Sequence, residues 1–267
     1  MDTADGQAPA GMAATQVSAA EQARYLRQTL VAGFGAKGQK RVRGASVLVV
    51  GTGGLGSPVI QYLAAAGIGR LGLVDDDVVE ETNLHRQVIH GLGARGKSKA
   101  ESAAHAAKAL AGDLVQIETH AVRLTVDNAR DVIDRYDIIV DCTDNFPTRY
   151  LISDIAADLG RPVVWGSILG ADAQVSVFWS RPPSGGGVTL RDLFPQEPAP
   201  GSVPTCTEVG VLGPLCGQAG STMAMEALKL AAKVGRPLLG RILIINALRA
   251  TFDQVVIRPD ANEGLWG

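Results

Sequence analysis

The sequence predicts an α/β fold with a doubly wound, mostly parallel sheet that antiparallel C-terminal strands extend. Continuous apolar, β-branched runs of strand length recur along the chain, and segments with helical periodicity separate them. A glycine-rich turn directly follows the first such run. Strands that alternate with helices are typical of parallel sheets covered on both faces. With 267 residues, 46% of them hydrophobic, the chain can bury the core that this fold needs.

The first strand is predicted at 46–50, where the apolar run stops at Gly51. The turn Gly51-Thr-Gly-Gly-Leu-Gly56 follows, and Ser57 and Pro58 suit the start of a helix. The later predicted elements are strands at 71–75, 114–122, 136–141 and 162–168, helices at 99–111 and 147–159, a long helix with one buried face from 223 to 234, and a closing antiparallel hairpin at 241–246 and 251–258.

One domain is expected over residues 21–260. The small, polar, alanine-rich segment 1–20 predicts a disordered tail, and 261–267 is expected to be a flexible C-terminus. Proline, glycine and serine dominate the stretch at about 180–206, and loops of that length in compact domains tend to be functional. We therefore predict a crossover loop over the active site there.

Charge and cysteine content exclude several classes of protein. The 25 basic and 27 acidic side chains are interspersed and give a formal net charge of -2, so neither nucleic acid nor a membrane surface is an expected partner. No apolar run reaches the roughly 20 residues that cross a bilayer, and no signal peptide is evident. Three cysteines do not form a disulfide framework. These features predict a cytoplasmic location.

The glycine turn predicts a nucleotide site without naming the nucleotide. Gly51, Gly53 and Gly56 have the spacing of a Rossmann-like turn, and Asp75 ends the second predicted strand, where it can bind a ribose hydroxyl. Such turns serve NAD, FAD, S-adenosylmethionine and ATP alike. A tight turn without any ligand is the remaining alternative.

Charged residues downstream of the turn favour a phosphate-rich ligand. Arg86 offers a fork of donors, and Lys99 lies at the expected start of a helix, where backbone N–H groups also attract anions. Asp144 follows a predicted parallel strand, at the sheet edge where such folds bind ligands. Asp144 is therefore either a magnesium ligand or a cap for the next helix.

Taken together, these motifs resemble the MoeB/ThiF family of ubiquitin-activating-enzyme-like adenylyltransferases over roughly residues 21–260. The resemblance rests on Arg24-Tyr-Leu-Arg27-Gln28, the glycine turn, Asn83-Leu-His-Arg-Gln87, Lys99, Asp144-Asn145 and Cys206-Thr-Glu-Val-Gly-Val-Leu-Gly-Pro214. It implies ATP-dependent adenylation of the C-terminal glycine of a ubiquitin-like sulfur carrier protein ending in Gly-Gly, in the molybdopterin, thiamin or a related pathway.

The same resemblance implies residue roles. ATP would be bound, with Asp75 on the ribose, by Gly51, Gly53, Gly54, Asp75, Asn83, Arg86, Gln87, Lys99, Asp144 and Asn145. Asp144 would also hold Mg²⁺. Arg27 would reach into the active site of the partner subunit, so a homodimer is implied. The catalytic residues would be Arg27, Arg86, Asp144 and Cys206.

Cysteine positions mark both a candidate nucleophile and a departure from the family. Cys206 is either a thiol that bonds to the activated carrier or a small residue packed beneath the loop. Thr189 and Asp192 stand where zinc-binding relatives carry a CxxC pair, so no zinc site is expected. The chain offers no room for a sulfurtransferase domain, and a separate sulfurtransferase or sulfide donor is therefore implied.

Other functions remain possible at this level. An NAD-dependent oxidoreductase would use the glycine turn and Asp75 but leave Arg86, Lys99 and Asp144 without a joint purpose. A non-catalytic scaffold would bind a ubiquitin-like partner without releasing pyrophosphate. A peptide or a tRNA nucleoside could also replace the carrier as the acceptor.

Overall fold

The computed structural model describes residues 18–199, 201–204 and 206–257, and eight strands in this part of the chain form one sheet. The strands are β1 (Ser46–Val50), β2 (Arg70–Val74), β3 (Gln116–His120), β4 (Ile138–Asp141), β5 (Val163–Leu169), β6 (Asp172–Phe178), β7 (Arg241–Asn246) and β8 (Thr251–Val256). Their spatial order is β3-β2-β1-β4-β5-β6-β7-β8. Because the chain continues outward in opposite directions from β1, the carboxyl ends of β1 and β4 flank the crevice where such sheets bind ligands.

Helices cover both faces of this sheet. They are α1 (Ala19–Thr29), α2 (Gly35–Gly44), α3 (Gly56–Ala66), α4 (Lys99–Ala111), α5 (Ala129–Ile133), α6 (Phe146–Leu159), α7 (Leu190–Leu193), α8 (Cys206–Val209) and α9 (Gly213–Ala232). One buried cluster joins α3, α4 and α9 to the sheet, and a second joins α5 and α6 to the other face. None of the helices in the described residues is long and apolar enough to cross a membrane.

The parallel part of the sheet consists of β3, β2, β1, β4 and β5. β1 lies at its centre, pairing with β2 and β4, and four of its five residues are buried. Burial on both faces explains why the sequence there is a continuous apolar run. The predicted doubly wound, mostly parallel sheet with antiparallel C-terminal strands is confirmed.

The antiparallel part of the sheet, β6 to β8, is larger than the sequence predicted. β5 and β6 are joined by two residues, Gly170 and Ala171, and pair along their whole length. Gly170 has φ 59°, which glycine adopts without strain. No strand was predicted over 172–178, because this turn has neither proline nor a second glycine to interrupt the apolar pattern.

Several predicted boundaries are corrected by the local hydrogen bonding. The Ser18 side chain accepts a hydrogen bond from the Glu21 N–H and caps α1, so the helix already begins at Ala19, within the segment predicted to be a tail. Residues 1–17 and 258–267 lie outside the described part. α9 ends at Ala232, since Lys233 takes the left-handed conformation, and the predicted extension of this helix to Val234 is wrong.

The predicted crossover loop is partly ordered by its own contacts. Trp179 and Val188 exchange backbone hydrogen bonds. Thr189 and Asp192 then form a capping box that starts α7: the Thr189 N–H and hydroxyl both donate to the Asp192 carboxylate, at 2.6 and 2.8 Å. The Tyr150 hydroxyl on α6 lies 2.8 Å from the Phe194 carbonyl oxygen and fixes the chain after α7.

Candidate active site

An open cleft lies at the carboxyl ends of β1, β2 and β4 and has a cavity volume of about 190 Å³. Nine residues that the sequence analysis assigned to nucleotide binding line it, namely Gly51, Gly53, Gly54, Asp75, Arg86, Gln87, Lys99, Asp144 and Asn145. The tertiary structure therefore gathers residues from five separate chain segments around one space.

The glycine turn between β1 and α3 forms the floor of the cleft. Gly51 has φ 90°, and a Cβ there would lie 2.8 Å from the Cys142 carbonyl oxygen. A Cβ at Gly54 would lie 2.8 Å from the Cys216 Sγ, and one at Gly56 would collide with the Gly51 backbone. The absence of side chains therefore lets the backbone at the N-terminus of α3 approach a phosphate closely. The turn fits a nucleotide.

Asp75 is fixed by the turn itself. Its Oδ2 accepts hydrogen bonds from the Thr52 backbone N–H, at 2.8 Å, and from the Thr52 hydroxyl, at 2.9 Å. Its Oδ1 accepts from the Asp77 N–H at 3.0 Å. These three donors orient the carboxylate at the end of β2. The sequence analysis did not identify Thr52, whose only signal was its place inside the glycine turn.

The three consecutive carboxylates after β2 approach one another within 4.8 Å, and each already has a partner. Besides the contacts of Asp75, Asp77 accepts a hydrogen bond from Lys99 Nζ at 2.8 Å, and Asp76 lies 3.4 Å from Arg123 Nε. Neither the Asp77 pair nor Arg123, which lines the cleft, was predicted. Their partners make these carboxylates poor candidates for a cation site.

Lys99 begins α4, as the sequence predicted. Its side chain is only 9% exposed although its ammonium group faces the cleft. The Lys99 backbone N–H donates to the Asp77 carbonyl oxygen at 2.9 Å, and Ser98 caps the helix by accepting from the Glu101 N–H. The Asp77 carboxylate thus holds the Lys99 ammonium group at the N-terminus of α4. The ammonium group and the helix N-terminus both attract anions.

Arg86 and Gln87 enter the cleft from a chain of turns. The N–H groups of both residues donate to the Asn83 carbonyl oxygen, at 3.1 and 3.0 Å. The Arg86 Nη1 otherwise lies 3.3 Å from the Thr82 carbonyl oxygen and 3.5 Å from the His85 Nε2, two weak contacts that leave most of its donors available. The Gln87 side chain is buried, and its Oε1 has no hydrogen-bond partner in the described part of the chain.

Asp144 follows β4 in a loop built by two buried charges. The Asp141 carboxylate accepts from the Thr143 N–H and hydroxyl, at 2.9 and 2.7 Å, and the Arg149 guanidinium donates to the Thr143 carbonyl oxygen. Burial raises the pKa of Asp141, while Arg149 opposes the rise. The loop leaves Asp144 exposed, without a hydrogen bond or ion pair to the described residues.

Asn145, not Asp144, caps the next helix. The Asn145 Oδ1 accepts from the Thr148 N–H at 3.0 Å and starts α6. The alternative that Asp144 is a helix cap is therefore wrong. The Arg149 side chain is buried beneath the loop, and this residue was not predicted from the sequence. No sequence signal distinguished it from other charges on α6.

Two predicted site residues do not line the cleft. Arg27 is exposed on α1, away from it, and Asn83 contributes its backbone carbonyl to the turn that carries Arg86. The side chain of Cys206 lies outside what the structure describes. Cys142 and Cys216 are buried, as expected for packing residues, and burial raises the pKa of Cys142 well above its usual range.

Comparison with known proteins identifies related sequences over nearly the whole chain. The model of the ThiF family matches residues 25–265. A probable adenylyltransferase/sulfurtransferase MoeZ of Mycobacterium tuberculosis is 49% identical over 92% of this chain and 63% of its own length. A sulfur carrier protein adenylyltransferase of Thermus thermophilus is 48% identical over 88% of this chain and 87% of its own. The chain thus spans less than two thirds of MoeZ but most of the Thermus relative.

Solved structures support the fold. PaaA superposes with a TM-score of 0.75 at 21% identity, covering 94% of this chain and 77% of its own. The E. coli MccB structure with ATP has a TM-score of 0.75 at 21% identity, covering 88% of this chain and 71% of its own. At this identity the likeness concerns the arrangement of helices and strands.

Proposed function

The chain belongs to the ThiF family, and on that premise we propose that it uses ATP to adenylate the C-terminal glycine of a ubiquitin-like sulfur carrier protein. One observation carries the proposal: a glycine turn, two cations and one unpaired carboxylate, from four chain segments, surround a single cleft. The two enzyme relatives named above support the same reaction. The sulfur itself would come from a separate sulfurtransferase or a sulfide donor.

The reaction joins two anions, and the cleft supplies the opposing charge. An oxygen of the glycine carboxylate attacks the α-phosphorus of ATP, and the bond from that phosphorus to the bridging oxygen breaks. Pyrophosphate leaves with the electron pair, and an acyl-adenylate remains on the carrier. Arg86 and Lys99 bind the phosphates and stabilise the charge that develops on the departing group. The acyl-adenylate is an activated acyl group that a sulfur nucleophile can attack.

ATP is placed in the cleft by complementary groups. Asp75, oriented by Thr52, accepts hydrogen bonds from the ribose hydroxyls. The N–H groups of the turn from Gly51 to Gly54 donate to phosphate oxygens. Gln87, Asn83 and Asn145 complete the proposed set of nucleotide-binding residues, and the unpaired Gln87 Oε1 is an acceptor that a bound nucleotide could satisfy.

Asp144 is the proposed ligand of Mg²⁺. It is an exposed carboxylate with no hydrogen bond or ion pair to the described residues, whereas the three carboxylates after β2 are already paired. Carboxylate oxygens suit Mg²⁺, which is usually held by one or two of them together with substrate phosphates. When bound, the ion would neutralise phosphate charge. Asp144 would position that ion, and the contacts of Asp141 and Arg149 with Thr143 hold the loop that carries Asp144.

A homodimer completes the proposed active site, with Arg27 acting on the partner subunit's cleft. Arg27 is too distant to line its own cleft and is surrounded on α1 by exposed apolar side chains. Leu26, Leu30 and Val31 are 51%, 70% and 58% exposed, and a cluster of this kind favours an interface between subunits. Arg27 would thus add a third cation next to the phosphates.

Mixed dimers test the role of Arg27. Arg27→Ala and Asp144→Ala subunits should each be inactive alone. Refolded together in equal amounts, they should regain about a quarter of wild-type activity, because half of the dimers then contain one intact site. A mixture that stays inactive while forming dimers would contradict the assignment.

Two further proposals concern the loop that precedes α9. We assign Cys206 a covalent role in holding the activated carrier, which Cys206→Ser would test through loss of sulfur transfer with adenylation retained. We also propose that the protein uses no zinc, since Thr189 and Asp192 already satisfy each other's polar groups. A cytoplasmic location is a further proposal, since three cysteines do not form a disulfide framework.

The reaction is tested by magnesium-dependent pyrophosphate release with ATP and a panel of purified carriers ending in Gly-Gly. The expected result is release with one carrier whose mass increases by one adenylyl group. A carrier truncated by one glycine is the matched control and should give no release. Carrier binding without pyrophosphate would favour the scaffold, and NAD binding without ATP binding would favour the oxidoreductase.

A further inference from the structure

His90 occupies a position that no step of the proposed reaction uses. It is 5% exposed and lies between the glycine turn and α4. Its Nε2 is 3.0 Å from the Thr52 carbonyl oxygen, and its Nδ1 is 3.0 Å from the Ser102 hydroxyl. A buried histidine with two polar contacts to different elements fixes the distance between those elements.

The hydrogen bonds identify the state of the ring. A carbonyl oxygen only accepts, so Nε2 must carry the proton, and the Ser102 hydroxyl then donates to Nδ1. Burial lowers the pKa of His90, and the Lys99 charge acts in the same direction, whereas the Thr52 carbonyl and Asp75 oppose both. The neutral ring with its proton on Nε2 satisfies both partners.

The three segments that meet at His90 are those that carry the nucleotide-binding groups. Thr52 belongs to the glycine turn and orients Asp75 through its N–H and hydroxyl. Ser102 is on the first turn of α4, three residues after Lys99. The backbone of His90 continues the turns that carry Arg86 and Gln87, since its N–H donates to the Gln87 carbonyl oxygen.

We propose that His90 is a positioning residue. It fixes the relative positions of the glycine turn, the Arg86 segment and the start of α4, so that all three contact the same nucleotide. The inference rests on the proposed function and adds to it a residue outside the cleft. His90 does not touch the reacting atoms. Its loss would let the donors on the three segments move apart, and ATP would bind less tightly because fewer of them reach it at once.

Two substitutions separate the two hydrogen bonds. The amide nitrogen of a glutamine extends about as far as Nε2, so His90→Gln keeps the donor to Thr52 and loses the contact to Ser102. His90→Asn leaves the Thr52 carbonyl oxygen buried and unpaired. A buried carbonyl oxygen without a partner is costly, and the glycine turn would shift to avoid it. We therefore expect ATP binding to weaken by roughly tenfold or more. His105→Gln, at an exposed histidine on α4, is the matched control.

The measurements are the dissociation constant for ATP without carrier, and the KM values for ATP and for carrier in pyrophosphate release. His90→Asn should raise the dissociation constant and KM for ATP about tenfold, with KM for carrier and kcat changed less than about threefold. His90→Gln should restore most of the affinity. The effects of His90→Gln and Ser102→Ala should not add, because both remove the same contact.

The following outcomes decide the question. Equal ATP affinity in His90→Asn and His105→Gln would overturn the inference, as would equal increases in both KM values. Ser102→Ala should remain folded because alanine is well tolerated in a helix. If His90→Asn does not fold, ATP affinity that is unchanged in Ser102→Ala, or losses that add in the His90→Gln/Ser102→Ala double variant, would overturn the inference instead. If wild-type protein bound no ATP, the proposed function would fail before this inference was reached.

Discussion

The two parts of the sheet differ in where their polar groups lie. In the parallel part, the central strands β1, β2 and β4 are almost entirely buried, and charged residues of the cleft directly follow β2 and β4. In the antiparallel part, five of the six β8 residues are exposed, among them the apolar Phe252, Val255 and Val256. The β8 edge of the sheet thus exposes apolar side chains, whereas the central strands are buried and are followed by charged residues of the cleft.

This difference indicates that the parallel part contributes most to both the stability and the chemistry of the protein. Parallel strands bring their carboxyl ends to one edge, so groups from distant segments converge there, while helices on both faces provide the core. The antiparallel strands add little to the cleft, where only Ile168 and Val211 lie near them. We therefore expect substitutions in the parallel part to dominate both activity and folding.

The largest effect is expected at the charges of the cleft. Asp144→Ala and Arg86→Ala should each lower kcat for adenylation by about 10²–10³, because each removes a group that acts on phosphate charge. Asp253→Ala on β8 and Arg249→Ala in the turn before it are exposed controls of the same residue types and should keep wild-type rates. Near-normal pyrophosphate release by either cleft variant would show that the comparison is wrong.

Core substitutions should show the next largest effect. Leu73 on β2 is fully buried, so Leu73→Ala should lower the free energy of unfolding by about 2–5 kcal/mol. Leu248, in the turn between β7 and β8, is 79% exposed. Leu248→Ala should change the same quantity by less than about 0.5 kcal/mol. Urea denaturation of both variants checks the contrast, and equal destabilisation would contradict it.

The floor of the cleft should tolerate little added volume. Gly54→Ala places a methyl group 2.8 Å from the Cys216 Sγ and should cost about 1–3 kcal/mol in stability, with weaker ATP binding. Cys216→Ala in the same chain should restore part of both, since it removes the colliding atom. Gly217→Ala, where a Cβ meets open space, is the control. Thermal unfolding with and without ATP measures both effects.

The smallest effect is expected from pH. Burial lowers the pKa of His120 on β3, and Arg135 and Arg70 act in the same direction against Glu118. Because the folded protein holds this ring neutral, its contribution to stability is present above the unfolded pKa of about 6.5 and is lost as pH falls through the lowered value. His120→Gln should therefore lose less stability than His105→Gln between pH 7.5 and acid pH, as measured by urea midpoints. Equal losses would exclude His120.

Sequence patterns located several elements in both parts of the sheet. β1, α4 and β7 have the predicted bounds, because burial and caps leave a direct signature in periodicity. The prediction failed where the signature is short or absent. The two-residue turn before β6 and the polar helices α1 and α2 carry no break or apolar stripe that distinguishes them from a loop.

The same holds for the site. Nine of the predicted residues line the cleft. Seven of them follow a strand or start a helix, and the fold brings such positions together. Arg86 and Gln87 lie in a run of turns. Arg27 lies on α1, away from the cleft, and its predicted role in a partner subunit stays a prediction. Arg149 and Thr52 were missed because their roles are contacts to other side chains and turns rather than positions at the end of an element.

By itself, the sequence determined that a glycine turn, an acidic run, two cations and a further aspartate meet at one edge of a parallel sheet. Only the tertiary structure decided which carboxylates are paired and which is left for a cation. Thr52 and Asp75 are separated by 23 residues, Asp77 and Lys99 by 22, and His90 and Thr52 by 38. Local periodicity encodes burial, whereas a hydrogen bond between such distant side chains depends on where packing places their backbones.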